Sequence, residues 1–107
     1  MRIVPTSIYE RRARKILSPD ERLEAEEWIA LSPERWPVIP GTGGARKARI
    51  ARRGMGKRGG ARVIYFVLSA RSTIYLMDVY AKNAKENLTD ADKKDLHRLI
   101  EALKGEA

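Results

Sequence analysis

The chain has 107 residues, of which 43% are hydrophobic and 34% charged, so we expect one compact domain, residues 1–107, with a modest core. It contains no cysteine, which excludes a disulfide scaffold and a thiolate zinc site. Charged residues interrupt every apolar run before the roughly 18 residues of a membrane span, and the first residues lack a signal-peptide pattern. We expect a cytoplasmic protein that does not contact membranes.

The positive charge is concentrated in one segment. The 22 Lys and Arg outnumber the 14 Asp and Glu, which gives a net charge of +8. Residues 1–44 and residues 63–107 are each neutral, so the whole excess falls between them. Its members are Arg46, Lys47, Arg49, Arg52, Arg53, Lys57, Arg58 and Arg62. Such a field favours a polyanion such as nucleic acid, and the alternative is a solvated basic surface that serves solubility.

The first part of the chain predicts a short strand and two helices. Met1–Val4 permits a strand, and Pro5–Ser7 breaks it and offers helix caps before a helix over Ser7–Leu17. Ser18, followed by proline and then Glu21, predicts a second capped helix that runs to Leu31. The expected inward residues are Ile8, Ala13, Ile16 and Leu17 in the first helix and Leu23, Trp28, Ala30 and Leu31 in the second.

The rest of the chain predicts a linker, three strands and a helix. Proline and glycine fill Ser32–Gly44, and strand-like runs follow at Arg46–Arg53, Ala61–Ser69 and Thr73–Lys82. The short connections predict an antiparallel meander. Thr89 and Asp92 then resemble a capping pair ahead of leucines at helical spacing. This order predicts an α+β domain whose helices cover one sheet.

Strand alternation predicts a cluster of cations at one end of the sheet. Lys47 and Arg49 share one face of their strand, whereas Arg46 and Arg52 point to the other face. Arg62 begins the second strand of the meander, and Lys82 ends the third on the track of Ile74, Leu76, Asp78 and Tyr80. A site built from Lys47, Arg49, Arg62 and Lys82 would grip a phosphate, although ordinary edge charges remain the alternative.

Other chemistry has little support in the sequence. His97 falls off the apolar stripe of the last helix, so we expect an exposed side chain, and we expect no metal site and no cofactor. Gly54–Gly59 matches a dinucleotide-binding pattern but precedes a strand, so nucleotide binding is not expected. Asp78 is expected to pair with an arginine. The strand tyrosines could stack on bases but are more often packing residues.

Three motif blocks give the sequence a family resemblance. They are Pro40–Arg49 (PGTGGARKAR), Gly56–Tyr65 (GKRGGARVIY), and Tyr80–Asn83 (YAKN) with Leu88–Lys93 (LTDADK). In this order and spacing they resemble a HigB-type toxin of the RelE/ParE superfamily, the toxins of type II toxin–antitoxin systems. The resemblance implies a small twisted antiparallel sheet with two N-terminal helices and a C-terminal helix.

The same resemblance implies a ribosome-dependent endoribonuclease that cuts mRNA in the ribosomal A site. The RNA 2′-hydroxyl would attack the adjacent phosphate without a metal ion, in a groove formed by the four cations. Lys47 is the expected base, since neighbouring cations favour its neutral form. Arg62 would stabilise the phosphorane, Arg49 would orient it, and Lys82 would contact the phosphate or the leaving group. The expected RNA contacts are Arg46, Arg52, Lys57, Arg58 and Tyr80.

The resemblance also implies partners and leaves alternatives open. The partners are mRNA, the ribosome and an antitoxin whose DNA-binding domain would bring the complex to operator DNA. ParE-like members of the superfamily inhibit DNA gyrase instead and cut no RNA. A third possibility is a non-catalytic nucleic-acid-binding module, in which the basic residues make phosphate contacts only.

Overall fold

The computed structural model describes residues 1–51, 60–85 and 87–106. Within them, four strands and three helices follow the predicted order. Their bounds are β1 Arg2–Pro5, α1 Ser7–Ile16, α2 Pro19–Leu31, β2 Arg46–Ile50, β3 Ala61–Leu68, β4 Thr73–Ala81 and α3 Asp90–Gly105. A 3-10 turn, Ser69–Arg71, joins β3 to β4. In this part of the chain no helix is both long and apolar enough to cross a bilayer.

Each helix begins at a polar cap that the sequence predicts. The Thr6 hydroxyl accepts a hydrogen bond from the first turn of α1. In α2, the Ser18 hydroxyl accepts from the Glu21 backbone N–H at 3.1 Å, while the Ser18 N–H donates to the Glu21 carboxylate at 2.8 Å. Thr89 and Asp92 form the same reciprocal box on α3. These boxes satisfy N–H groups that a helix start otherwise leaves without partners.

The four strands form one sheet in the order β1-β4-β3-β2. β2, β3 and β4 are antiparallel neighbours, as predicted, but β1 pairs with β4 in parallel, so the sheet is mixed. The expectation of a wholly antiparallel sheet is corrected at this strand. Between β1 and the meander the chain passes through both N-terminal helices, and such long crossovers are how parallel neighbours are joined.

Helices cover both faces of the sheet. On one face α1 and α2 bury Tyr9, Ala13, Leu17 and Ile29 against strand residues that include Val63, Tyr65 and Leu76. On the other face α3 buries Ile100 against a second set that includes Ile64, Phe66 and Tyr80. The sheet therefore separates two apolar layers, and each side of every central strand has a packing partner.

A β-bulge in β4 changes which side chains share a face. Ile64 stands opposite Asp78 and Tyr65 opposite Leu76, so Met77 has no partner in the register. Before the bulge, Leu76 packs under the N-terminal helices, whereas Tyr80 after it packs under α3. The prediction that Leu76 and Tyr80 share a track is therefore wrong, because the extra residue resets the alternation.

The buried side of α2 differs from the prediction. Leu23, Trp28 and Leu31 are exposed, and Ala25 and Ile29 are buried instead. Apolar residues occur on all sides of this helix, so periodicity does not select a face. In α1 the predicted inward residue Ile8 is exposed and its neighbour Tyr9 is buried.

Candidate nucleic-acid interface

Four basic side chains line one cleft on the α3 side of the sheet. Lys47 and Arg49 belong to β2, Arg62 belongs to β3, and Lys82 follows the last residue of β4. Asn87 completes the lining of this cleft of about 200 Å³, to which no described carboxylate contributes. We call it the cation cleft. It brings together the four cations that strand alternation grouped, and Asn87 is an addition that no pattern in the sequence signalled.

Two arginines face each other across the strands of this cleft. Arg49 stands directly opposite Arg62 in the β2–β3 register. Arg62 donates a hydrogen bond to the Ala61 carbonyl at 3.2 Å, and neither arginine pairs with a carboxylate among the described residues. Like charges in this position destabilise a sheet, and a guanidinium fork matches phosphate geometry. The pair is thus suited to hold a phosphate between the two strands.

The turn after β4 is anchored from two sides. The Lys82 backbone N–H donates to the Gly60 carbonyl at 2.8 Å, which ties the turn to the start of β3. Lys85 forms an ion pair with Asp92 in the first turn of α3. The Lys85 ammonium, together with the capping contacts of Thr89, lowers the pKa of Asp92. These contacts fix the segment that brings Lys82 and Asn87 to the cation cleft.

The start of β2 is positioned by a turn built around Thr42. The buried Thr42 hydroxyl donates to the Ile39 carbonyl at 2.7 Å and accepts from the Ala45 N–H at 3.0 Å. Gly44 has φ +132°, which side chains rarely tolerate, and a Cβ there would lie 3.1 Å from the Phe66 ring. The glycine allows the close approach, and the turn directs the chain into the strand that holds Lys47.

Arg46 points away from the cation cleft, as alternation predicts. Its guanidinium donates to the carbonyls of Glu34 at 3.2 Å and Trp36 at 2.6 Å, so it holds the linker against the strand. Nearby, the Tyr65 hydroxyl donates to the Pro33 carbonyl at 2.7 Å. Burial raises the pKa of Tyr65, and the Arg46 charge opposes that shift. In this structure Arg46 serves the linker, so the expected RNA contact stays a prediction.

Tyr80 lies beneath the cation cleft and does not form its surface. Its side chain is only 6% exposed, and the Lys85 ammonium lies 5.6 Å from the ring centroid. Burial raises the pKa of its hydroxyl, and the Arg62 charge opposes the shift. The ring has little free surface on which a base could stack.

The remaining predicted residues fall in several places. Arg52, Lys57, Arg58 and the glycine pattern 54–59 lie outside the described residues. His97 is exposed, as predicted. Asp78 pairs with Arg12 at 2.7 Å, which confirms the expected arginine partner. In residues 1–51, 60–85 and 87–106, no three His, Asp or Glu side chains are grouped as a metal ion would need.

Neither of the two tryptophans near the cation cleft is assigned to a site from the sequence: Trp36 is not singled out, and Trp28 is expected to face inward. Trp36 lines a neighbouring cleft together with Lys47 and Arg49. Trp28, on α2, lines another cleft together with Trp36 and Arg49. The available signal was the position of Trp36 in a proline-rich linker directly before the basic strand. Aromatic residues interleaved with a basic patch are typical of single-stranded nucleic-acid binding.

Comparison with known proteins agrees with this architecture. The structure of the E. coli toxin RelE, as an arginine double mutant in the free state, matches with a TM-score of 0.58 and 19% identity, over 79% of this chain and 86% of that chain. At this identity the likeness shows the α+β fold alone. The family model described as the RelE toxin of the RelE/RelB toxin–antitoxin system matches residues 1–106. The HigB-type assignment stays a prediction. The match across almost the whole sequence shows that the chain belongs to the RelE family of toxins, and membership of this family implies a cognate antitoxin partner.

Proposed function

We propose that this toxin is an endoribonuclease that cuts mRNA in the ribosomal A site and so inhibits translation. The observation that supports this most directly is the cation cleft, in which four cations from separate elements meet with no described carboxylate in the lining. A site of this charge favours the phosphate of an RNA strand and the extra negative charge of a phosphorane. A cognate antitoxin, with a DNA-binding domain that recruits the complex to operator DNA, completes the proposal.

The chemistry we propose needs no metal ion. The 2′-oxygen of the RNA forms a bond to the adjacent phosphorus, and the bond from phosphorus to the 5′-oxygen breaks. A base takes the proton from the 2′-hydroxyl, and an acid gives one to the 5′-oxygen. The products are a 2′,3′-cyclic phosphate and a free 5′-hydroxyl.

The side chains of the cleft divide into two groups for this reaction. Arginine stays protonated in proteins, so Arg49 and Arg62 can bind charge but cannot exchange a proton. Lysine can exchange one, so the acid and base roles fall to Lys47 and Lys82. We assign Lys47 as the base and Lys82 as the donor to the leaving oxygen, while Arg62 stabilises the phosphorane and Arg49 orients the phosphate.

The test is cleavage by the purified protein on programmed ribosomes and, separately, on naked mRNA, with the 5′ ends mapped. We expect cuts confined to the A-site codon. Arg62→Ala should reduce the rate by about a hundredfold or more, as loss of an electrostatic group that stabilises a transition state does. Lys47→Arg keeps the charge but removes the base, so it should be as defective as Lys47→Ala.

A matched control removes one positive charge elsewhere. Arg98 is exposed on α3 and lies 3.4 Å from Asp95, outside the cation cleft, so Arg98→Gln should cut like the wild type. No cleavage of either substrate would overturn the proposal and lead to a gyrase-inhibition assay for the ParE-like alternative. Salt-sensitive RNA binding without any product would identify a non-catalytic binding module.

A further inference from the structure

A second cleft adjoins the cation cleft around the free edge of β2. It encloses about 300 Å³, and its lining includes Trp28, Arg35, Trp36 and Arg49. We call it the tryptophan cleft. Trp28 is 59% exposed, which is unusual for the largest apolar side chain, and its ring forms part of an open surface in the described part of the chain.

Arg35 links the two indole rings. Its guanidinium carbon lies 5.5 Å from the ring centroid of Trp28 and 5.3 Å from that of Trp36. Both distances fall within the range of cation–π contacts. The contact holds two aromatic side chains and a planar cation together at one site, and bases of single-stranded RNA stack on both kinds of group.

The two clefts are continuous through shared residues. Arg49 lines the cation cleft and the tryptophan cleft. Between them, a cleft of about 350 Å³ is lined by Trp36, the following residues 37–40, Lys47 and Arg49. An RNA strand whose phosphate rests on Lys47 and Arg49 therefore has an adjacent path along Trp36 towards Trp28.

The charge of the tryptophan cleft also suits an RNA strand. Its lining includes two guanidinium groups, Arg35 and Arg49, and one carboxylate, Glu24. An apolar cleft by itself would accept a protein segment equally well. The continuity with four cations and the stacked guanidinium favour a nucleotide over a protein segment.

We propose that the tryptophan cleft binds an unpaired RNA base next to the phosphate held in the cation cleft, by stacking on the indoles of Trp28 and Trp36. The inference rests on the proposed function, because it takes the cation cleft as the phosphate site. It adds a base-binding subsite to that function and assigns it to residues outside the set of four cations.

The test couples the loss of a base to the loss of an indole. The probes are two RNA octamers with 2′-O-methyl groups throughout, which block the attacking hydroxyl. One octamer is intact, and the other has abasic sites at the central positions with the same number of phosphates. Their affinities for the wild type, Trp28→Leu and Trp36→Leu are measured by titration at one fixed salt concentration.

We expect the intact octamer to quench tryptophan fluorescence and to bind the wild type about tenfold more tightly than the abasic octamer. In Trp28→Leu or Trp36→Leu that preference should fall towards one, because both changes remove the same stack. Leu31→Ala is the control: Leu31 is 81% exposed on α2, outside the cleft, and this variant should keep the wild-type preference. Thermal unfolding of each variant reports its fold.

Several results would overturn the inference. They are equal binding of both octamers by the wild type, no binding of the intact octamer, or an equal loss of affinity for both octamers in the tryptophan variants. Tryptophan variants that bind RNA normally but lose the antitoxin would assign the cleft to a protein partner. The binding assay involves no cleavage, so the two proposals can fail separately. A preference for the intact octamer that depends on the tryptophans, in a protein that does not cut mRNA on ribosomes, would reject the proposed function alone. Cutting by a protein that lacks this preference would reject the present inference alone.

Discussion

The Tyr9 hydroxyl of α1 donates a hydrogen bond to the Glu26 carboxylate of α2 at 3.0 Å. Arg22 joins the same group, lying 2.7 Å from Glu26 and 3.1 Å from Glu10 of α1. Its guanidinium also lies 5.3 Å from the centre of the Tyr9 ring. The two N-terminal helices are therefore joined by a polar network above the buried tyrosine.

The network predicts a loss of stability at high pH. Burial, followed by the Glu26 charge, raises the pKa of Tyr9. The folded state then keeps this proton while the unfolded state loses it above about pH 10, the ordinary value for tyrosine. The contribution of the Tyr9 hydroxyl to the free energy of unfolding is fully present below that pH. It should fall by about 1.4 kcal/mol for each pH unit above it.

Urea unfolding of wild type and Tyr9→Phe checks this. At about pH 7 the variant should be about 1 kcal/mol less stable, because it lacks the hydrogen bond. By about pH 11 that difference should shrink by about 1.4 kcal/mol, since only the wild type carries the titrating hydroxyl. All other side chains are common to the two proteins, so their contributions to the difference cancel. A difference that stays constant with pH would contradict the assignment.

The Arg49–Arg62 pair predicts a conflict between stability and anion binding. Like charges directly opposite across strands cost about 0.2–1 kcal/mol, and the two residues are direct partners in the β2–β3 register. Arg49→Gln should therefore raise the melting temperature slightly at low salt. The gain should vanish near 1 M salt, where screening acts over about 3 Å.

With added pyrophosphate, the wild type should have a higher melting temperature than Arg49→Gln. The anion should stabilise the wild type more than Arg49→Gln, because a ligand that binds only the folded state raises its stability. Arg98→Gln serves as the control, since Arg98 lies beside Asp95 on α3. A lower melting temperature for Arg49→Gln at low salt would show that the two arginines do not repel each other.

The caps and the cation cleft could be predicted because both depend on local rules. A capping box needs only two residues three positions apart, so Ser18 with Glu21 and Thr89 with Asp92 predict the two helix starts from the sequence alone. The cleft followed from period-two alternation, which holds along β2 and at the start of β3, where Lys47, Arg49 and Arg62 lie.

The bulge and the buried side of α2 depend on contacts distant in sequence. Nothing near Met77 signals that it lacks a partner, because the register is set by the packing of β4 between β3 and β1. In α2, Ala25 and Ile29 are buried, whereas the larger Trp28 side chain is exposed. Tertiary packing selects that face and leaves the Trp28 indole exposed.

The Thr42 turn predicts a hydroxyl-specific loss of stability. Thr42→Val keeps the shape but leaves the Ala45 N–H and the Ile39 carbonyl without the bonds that the hydroxyl makes. We expect a loss of about 2 kcal/mol in the free energy of unfolding. Thr42→Ser keeps the hydroxyl and should lose about 1 kcal/mol for the missing methyl group. Chemical denaturation measures both, and a valine variant no worse than the serine variant would refute the role of the hydroxyl.

The Lys85–Asp92 pair predicts an acid-sensitive anchor for the turn that holds Lys82. The pKa of Asp92 is lowered, first by Lys85, so its contribution is present above the unfolded value of about 3.9. That contribution is lost as the pH falls through the lower value of the folded state. At about pH 7, Asp92→Asn should cost about 1 kcal/mol, because it removes the charge that pairs with Lys85 and that interacts favourably with the N-terminus of α3. The amide oxygen of the variant can still accept the hydrogen bond from the Thr89 N–H.

Denaturation of wild type and Asp92→Asn between about pH 7 and pH 2 tests this anchor, since the stability difference should shrink only below about pH 4. Combining Asp92→Asn with Lys85→Ala should cost less than the sum of the single changes, because both remove one ion pair. Additive losses would mean that the ion pair contributes nothing and that the Asp92 charge acts only on the N-terminus of α3. The Asn variant should also cut ribosomal mRNA more slowly, since the turn that positions Lys82 beside Arg62 loses its tie to α3.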